Sequence, residues 1–299
     1  MATALVEDRP AYTAKDFKGP VAPDWCPGCG DFGVLKALQQ AAADLGKAPH
    51  DIVTVSGIGC SSNLPGFIHT YGMHTLHGRS LPVATGLQLA NHELTIVVTG
   101  GDGDGYGIGG NHLLHTMRRN VDLLYIVMNN QIYGLTTGQL SPTSEQGMVT
   151  KSSPEGSIEM PLNPMAMAIA GGATWVARGY SADAKHLSAL MKAGIEHKGF
   201  ALLDVFSPCV TYNHINTYAY FKERVTKLED NGHDPSDWRA GMEQAFVWGD
   251  EIPTGLFFEN TTKPSLHAQE PILDEGGPLA FRPLGISQDV GQTLVDVLM

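Results

Sequence analysis

No stretch of this chain stays apolar over the roughly 20 residues that a membrane-spanning helix requires, so a bilayer-embedded protein is not expected. The opening residues, MATALVEDRP, have no basic segment followed by an apolar core. A secretory leader is therefore not expected, and a cytoplasmic location is the default reading. Basic residues are scarce: Lys and Arg number 19 against 31 Asp and Glu, a net charge of −12. Nucleic acid and anionic membrane surfaces are poor partners for such a chain, because phosphate contacts need clustered Lys and Arg. A phosphorylated cofactor is not excluded, but backbone N–H groups and a cation must offset its charge. Cysteine is also sparse, with only Cys26, Cys29, Cys60 and Cys209. That is too few for a disulfide-built scaffold, and a reducing cytoplasm disfavours disulfides anyway. Four thiols do make one complete ligand set for a metal centre. There is no internal repeat and no low-complexity run.

What is present is ordinary globular material: 42% hydrophobic and 17% charged residues in 299, enough for one large α/β domain with insertions or two modest ones. Residues 1–24 read as an irregular arm broken by Pro10, Pro20 and Pro23. Helical spacing over 31–45 is followed by a β-branched run, 51–57, ending in glycine. Strands are expected at 94–103, 122–130, 174–178 and 200–206, and helices at 83–92, 108–118, 164–171 and 183–197. Strands rich in Val, Ile and Leu alternating with helices predict a doubly wound, mostly parallel α/β sheet covered on both faces. Ligands of such sheets sit beyond the carboxyl ends of the strands. Residues 1–228 are read as one domain. Residues 229–299 are Pro-, Gly- and Asp-rich and read as an extended C-terminal tail packing on that domain or on a partner.

Two strand ends carry the first chemical signal. Gly101-Asp102-Gly103 follows one strand directly, and Asn129-Asn130 ends the next. A diphosphate needs backbone N–H groups at close range, which glycine permits. It also needs a hard divalent cation, which takes carboxylate, amide and carbonyl oxygens. Gly103-Asp104-Gly105 overlaps the first motif and fits nearly as well; Asp102 is preferred because it lies nearer the strand end, with Asp104 behind it. A nicotinamide fingerprint fits less well, since no acidic residue ends the following strand. The bland reading is a strand-to-helix turn with ordinary glycines. The motif's spacing resembles the diphosphate-binding motif of thiamine-diphosphate enzymes. That resemblance implies Mg²⁺ held by the side chains of Asp102 and Asn130 and by the carbonyl of Ile132.

The cysteines carry the second. Trp25-Cys26-Pro27-Gly28-Cys29-Gly30 is a C-x₂-C turn, whereas Cys60 (in Gly57-Ile58-Gly59-Cys60) and Cys209 (after Ser207-Pro208) each follow a strand. A structural zinc site usually takes two closely spaced knuckles. A redox dithiol leaves Cys60 and Cys209 unexplained. A [4Fe–4S] cluster accepts a pair plus two remote cysteines.

Taken together, WCPGCG (25–30), GIGCSS (57–62), HGR (77–79), GDG (101–103), NNQIYGLTTGQLSPT (129–143) and SPC (207–209) resemble the β-subunits of 2-oxoacid:ferredoxin oxidoreductases, over most of the chain from Trp25 to Cys209. YGLTTGQ (133–139) is most similar to the 2-oxoglutarate members; pyruvate and branched 2-oxoacids are the alternatives. The resemblance implies thiamine-dependent oxidative decarboxylation, with coenzyme A taking the acyl group. Electrons leave through a [4Fe–4S] cluster on Cys26, Cys29, Cys60 and Cys209 to ferredoxin. Run backwards, the reaction fixes CO₂ into succinyl-CoA. The resemblance places Gly57, Ile58, Gly59, Ser61, Gly134 and Thr136, with the diphosphate motif residues and Asp104, in cofactor contact. Asn63 and Leu135 fall toward the substrate, although some relatives carry lysine at the position of Asn63. His77 faces substrate or cofactor, or else is a structural turn histidine. His69, His74, His92, His112 and His115 are assigned no metal. No carboxylate with a supporting motif is available for the cofactor's aminopyrimidine, so an α-subunit is implied, in a dimer of heterodimers. Two rivals stand beside this reading: a non-oxidative thiamine enzyme subunit with a zinc knuckle, and a non-catalytic metal-binding scaffold.

Overall fold

Runs of Val, Ile and Leu set the centre of the molecule. The computed structural model describes residues 12–274, 277–283 and 285–298, so the first eleven residues of the expected arm lie outside the described residues. The strands are β1 (Ile52–Ser56), β2 (Tyr71–His74), β3 (Thr95–Gly101), β4 (Leu123–Asn129), β5 (Trp175–Tyr180), β6 (Phe200–Phe206), β7 (Val225–Lys227) and β8 (Ile252–Glu259). They form one sheet in the order β2-β1-β3-β4-β6-β5-β8-β7. Neighbours are parallel except β5 and β8. Every residue of β4 and β6 is buried, as expected for central parallel strands with helices on both faces.

Side chains alternate across the sheet and so divide the core in two. Leu124, Ile126 and Met128 of β4 and Leu203 and Val205 of β6 pack with Val34, Leu38, Leu187 and Met191. Those residues belong to α1 (Asp31–Asp44) and to a second helix, Ala184–Glu196. Leu123, Tyr125 and Val127 face the other way, onto Leu81, Leu113, Met117 and Ile169. These come from α2 (Ser80–Ala90), α3 (Gly110–Arg119) and α4 (Pro164–Ala170); the helix at Ala184–Glu196 is α5. Because β1, β3, β4 and β6 run parallel, their carboxyl ends at Ser56, Gly101, Asn129 and Phe206 lie along one edge.

The expectation of an extended tail past residue 228 is corrected. Helix α6 (Tyr218–Arg224) and β7 precede that point; beyond it α7 (Trp238–Ala245) leads into β8, which pairs antiparallel with β5. Pro253 and Gly255, the latter at φ +116°, interrupt the pattern of β8 in the sequence. Its Phe257 is nevertheless fully buried. Short helices α8 (Leu266–Gln269) and α9 (Pro271–Asp274) follow, and then α10 (Gln288–Leu298), which buries none of its described residues. Strand β2 was also not foreseen: all four of its residues are exposed at the sheet edge, so no apolar alternation marks it. No described helix is long and apolar enough to cross a membrane.

If β8 belongs to the cooperative core, Phe257→Ala costs about 3–5 kcal/mol in denaturant unfolding. A loss below about 1 kcal/mol would mean that this strand adds little to the folded unit.

Candidate functional site

The strand ends gather most of the expected site residues into one cavity of about 170 Å³. Its lining includes Ile58, Gly59, Cys60 and Ser61 after β1, then His77, then Gly101, Asp102, Gly103 and Asp104 after β3. Asn130, Ile132, Gly134, Leu135 and Thr136 complete it after β4, and Met128 and Tyr133 join unforeseen. Gly57 lies behind the lining, and Asn63 sits half-buried in the turn Cys60–Gly66.

Both acidic side chains of the overlapping glycine motifs are 1% exposed, and they are held differently. Asp102, the first residue past β3, accepts hydrogen bonds at Oδ2 from Ser141 Oγ (2.5 Å) and Thr143 Oγ1 (2.6 Å). Burial pushes its carboxyl up to about 6, against the pull of those two hydroxyls. Thr143 Oγ1 also lies 2.9 Å from Asn129 Oδ1, and Asn129 Nδ2 donates to the buried Asp204 (3.1 Å). Neither Ser141 nor Thr143 was legible as a site residue, because their partner is about 40 positions away in the chain.

Asp104 ties three segments together. Its Oδ1 accepts from Ile58 N (3.0 Å), Gly78 N (2.7 Å) and His77 Nδ1 (2.7 Å). Its Oδ2 is buried with no hydrogen-bond partner among the described residues. Gly57 has to be glycine here, since a Cβ would lie 2.0 Å from Asp104 Oδ2. The bond to His77 Nδ1 leaves Nε2 as the free nitrogen of a side chain that lines the cavity.

At the asparagine pair, Asn130 Oδ1 accepts from Ile132 N (3.1 Å), and Asn213 Nδ2 donates to the Asn130 carbonyl (2.9 Å). Tyr133 OH donates to the Gly103 carbonyl (2.9 Å), fastening the 133–139 loop to the glycine turn.

The cysteines adjoin this cavity. A Cβ at Gly134 would lie 3.6 Å from Cys209 Sγ, 3.7 Å from Cys60 Sγ and 3.8 Å from Asn130 Nδ2. A methyl group there would be in ordinary van der Waals contact with both sulfurs. The C-x₂-C turn is drawn to the same place: Trp25 Nε1 donates to the Cys60 carbonyl (2.7 Å), and Gly30 N to the Pro208 carbonyl (3.2 Å). Burial and the charge of Asp31 push the Cys60 thiol up to about 11; burial acts on Cys29 in the same direction. Bare thiolates are therefore disfavoured here unless a cationic centre binds them. Among the described residues no three His, Cys, Asp or Glu side chains converge on a single-ion position.

Residues 57–205 match the thiamine pyrophosphate enzyme C-terminal TPP binding domain, and residues 209–275 match the C-terminal region of the pyruvate ferredoxin oxidoreductase beta subunit. The 2-oxoacid:ferredoxin oxidoreductase 1 subunit beta of Aeropyrum pernix is 45% identical, over 93% of this chain and 92% of that protein. This chain belongs to the 2-oxoacid:ferredoxin oxidoreductase β-subunit family. A second member, from Saccharolobus solfataricus, is 51% identical over 79% of this chain and 82% of its own. The solved 2-oxoglutarate:ferredoxin oxidoreductase from Magnetococcus marinus, with 2-oxoglutarate, coenzyme A and succinyl-CoA bound, superposes with a TM-score of 0.87. It is 41% identical, over 96% of this chain and 97% of that one. The thiamine-binding fold, the oxidoreductase class and an α-subunit partner follow from membership.

Thr143→Val is nearly isosteric and removes the hydroxyl between Asp102 and Asn129. It should lower the stability of the cofactor-free chain by about 2 kcal/mol in urea unfolding, whereas Thr143→Ser recovers most of the loss. Equal stability of all three proteins would show that the hydroxyl bridge carries no weight.

Proposed function

We propose that this chain contributes the diphosphate half of the thiamine site, and the electron exit, of an enzyme that oxidatively decarboxylates 2-oxoglutarate. The observation that carries this reading is the shared wall at Gly134, where Cys60 and Cys209 meet the cavity of the Gly-Asp-Gly and Asn-Asn motifs. Support for the substrate comes from relatives named as 2-oxoglutarate oxidoreductase or synthase subunits in Mycobacterium tuberculosis and Methanocaldococcus jannaschii, 45% and 46% identical.

The residues fit the groups involved. Asp102 and Asn130, with the Ile132 carbonyl, offer the oxygen ligands that Mg²⁺ prefers. Glycine backbone at 101 and 103, with Ser61 and Thr136, cradles the diphosphate. Ile58 and Gly59 in the lining, backed by Gly57, would hold the aminopyrimidine. Cys26, Cys29, Cys60 and Cys209 ligate one [4Fe–4S] cluster. When bound, thiamine diphosphate supplies the carbon nucleophile that decarboxylation requires, and the cluster takes electrons singly.

This chain's own side chains then position and shield. Asp104 fixes His77 with Nδ1 as donor, so that Nε2 faces the 2-oxoacid. Leu135, 56% exposed, and Asn63 stand on the substrate side. The only carboxylates lining the cavity among the described residues are Asp102 and Asp104, both already engaged within the fold. The carboxylate that activates the cofactor therefore comes from the α-subunit, in a dimer of heterodimers. Coenzyme A takes the acyl group, ferredoxin takes the electrons, and CO₂ leaves; with a strong reductant the direction reverses.

Asp102→Ala should weaken Mg²⁺-dependent thiamine diphosphate binding at least about 100-fold, a cost of roughly 2.7 kcal/mol, while iron content stays unchanged. Retained affinity, with loss in Asp104→Ala instead, would move the metal to the overlapping motif. Iron and sulfide analysis of anaerobically purified complex should give a four-iron cluster that Cys60→Ser abolishes. About one zinc and no iron would overturn the cluster. Turnover of 2-oxoglutarate should require the α-subunit; equal rates for this chain alone would refute the shared site.

A further inference from the structure

Behind the glycine and asparagine motifs a path of polar contacts crosses the sheet edge, and no step above uses it. Arg178 on β5 and Asp204 on β6 stand in register and are 2% and 0% exposed. Arg178 Nε lies 3.5 Å from Asp204 Oδ2, an ion pair. Asp204 Oδ1 accepts from Tyr106 OH (2.8 Å) in the glycine turn and from Asn129 Nδ2 (3.1 Å) at the end of β4. Asn129 Oδ1 faces Thr143 Oγ1 at 2.9 Å, and Thr143 Oγ1 lies 2.6 Å from Asp102 Oδ2. One carboxylate on β6 thus touches both halves of the motif and, through two side chains, reaches Asp102.

Donors and acceptors along this path run in one direction. A guanidinium only donates and a carboxylate only accepts. Asn129 must therefore turn its amide nitrogen to Asp204 and its oxygen to Thr143. Gln131 N, 3.3 Å from Asn129 Oδ1, favours the same orientation. The Thr143 hydroxyl carries one proton and stands between two acceptors, Asn129 Oδ1 and Asp102 Oδ2. Ser141 Oγ donates to the same Asp102 oxygen at 2.5 Å, so Asp102 keeps one hydroxyl whichever way Thr143 turns.

We propose that Arg178 and Asp204 are positioning residues for the metal site. By orienting Asn129 they give the Thr143 hydroxyl a second acceptor. Its proton lies on Asp102 without the cation and turns to Asn129 when Asp102 holds the cation. The proposal rests on the reading of Asp102 as a Mg²⁺ ligand. The shorter of the two contacts, 2.6 against 2.9 Å, belongs to the charged acceptor. A carboxylate shared with a cation is a weaker acceptor. The hydroxyl then rotates about its C–O bond to Asn129, with no bond broken. Without that second acceptor, loading Asp102 would leave a buried donor unpaired, which is costly.

Reversing the direction of the path isolates this effect. In Asp204→Asn the introduced amide turns its oxygen to the donor-only Arg178 and its nitrogen to Asn129. Asn129 must then flip and present its own nitrogen to Thr143. The Thr143 proton is left on Asp102, where it opposes the cation.

The test uses co-expressed α–β complex and calorimetry. Asp204→Asn should weaken Mg²⁺-dependent thiamine diphosphate binding at least about fivefold, with iron content per β-subunit unchanged. Adding Arg178→Met removes the donor that turns the introduced amide, and should recover most of the affinity. In a Thr143→Val background Asp204→Asn should cost nothing further, since the two residues act through one hydroxyl. A loss below about fivefold, no recovery, or the same loss in the Thr143→Val background would each overturn the proposal; a purely structural role does not need the hydroxyl. Neutron diffraction from the unmodified complex requires no variant to fold. The deuterium on Thr143 Oγ1 should point to Asp102 without Mg²⁺ and thiamine diphosphate, and to Asn129 with them; one direction in both states would overturn the proposal. The reading of Asp102 as metal ligand fails separately, by full affinity in Asp102→Ala.

Discussion

Two carboxylates buried beside one cavity, at the carboxyl edge of a parallel sheet, are the constraint around which this protein is arranged. Asp102 and Asp104 sit where burial opposes their charge, in a chain that is acidic overall. Each is stabilised by a different device. Asp104 spends its one bonded oxygen on two backbone N–H groups and a histidine, which fastens the turns at 58 and 78 to the glycine turn. Asp102 has hydroxyls from a distant loop instead, and stands at the position where the family's motif implies a cation. Asp104 organises the pocket through backbone and histidine, and Asp102 ties it to the 141–143 loop.

The thiols depend on the same edge. Cys60 and Cys209 reach it only because β1 and β6 end there, and the C-x₂-C turn is bound to the carbonyls of Cys60 and Pro208. Cys60 lines the cofactor cavity itself, and Gly134 lies against the sulfurs of Cys60 and Cys209.

In the proposed reading the pocket is half a site: it supplies the cradle, the metal oxygens and the electron exit, and the partner supplies the acid that activates the cofactor.

The sequence by itself determined the central strands, the glycine and asparagine motifs and the four cysteines. Each is local: a β-branched run, a turn that needs glycine, a residue type with its own ligand chemistry. It also located His77 and Asp104, though not the bond between them. Tertiary structure alone decided what faces those motifs. Ser141 and Thr143 are ordinary loop residues until the fold lays them on Asp102. Arg178 reads as one strand residue among others until β5 sets it beside Asp204. Strand β8 hides behind Pro253 and Gly255 because its place comes from pairing with β5, not from its own alternation. Contacts between residues far apart in the chain leave no periodic trace in a single sequence, and those contacts complete this site.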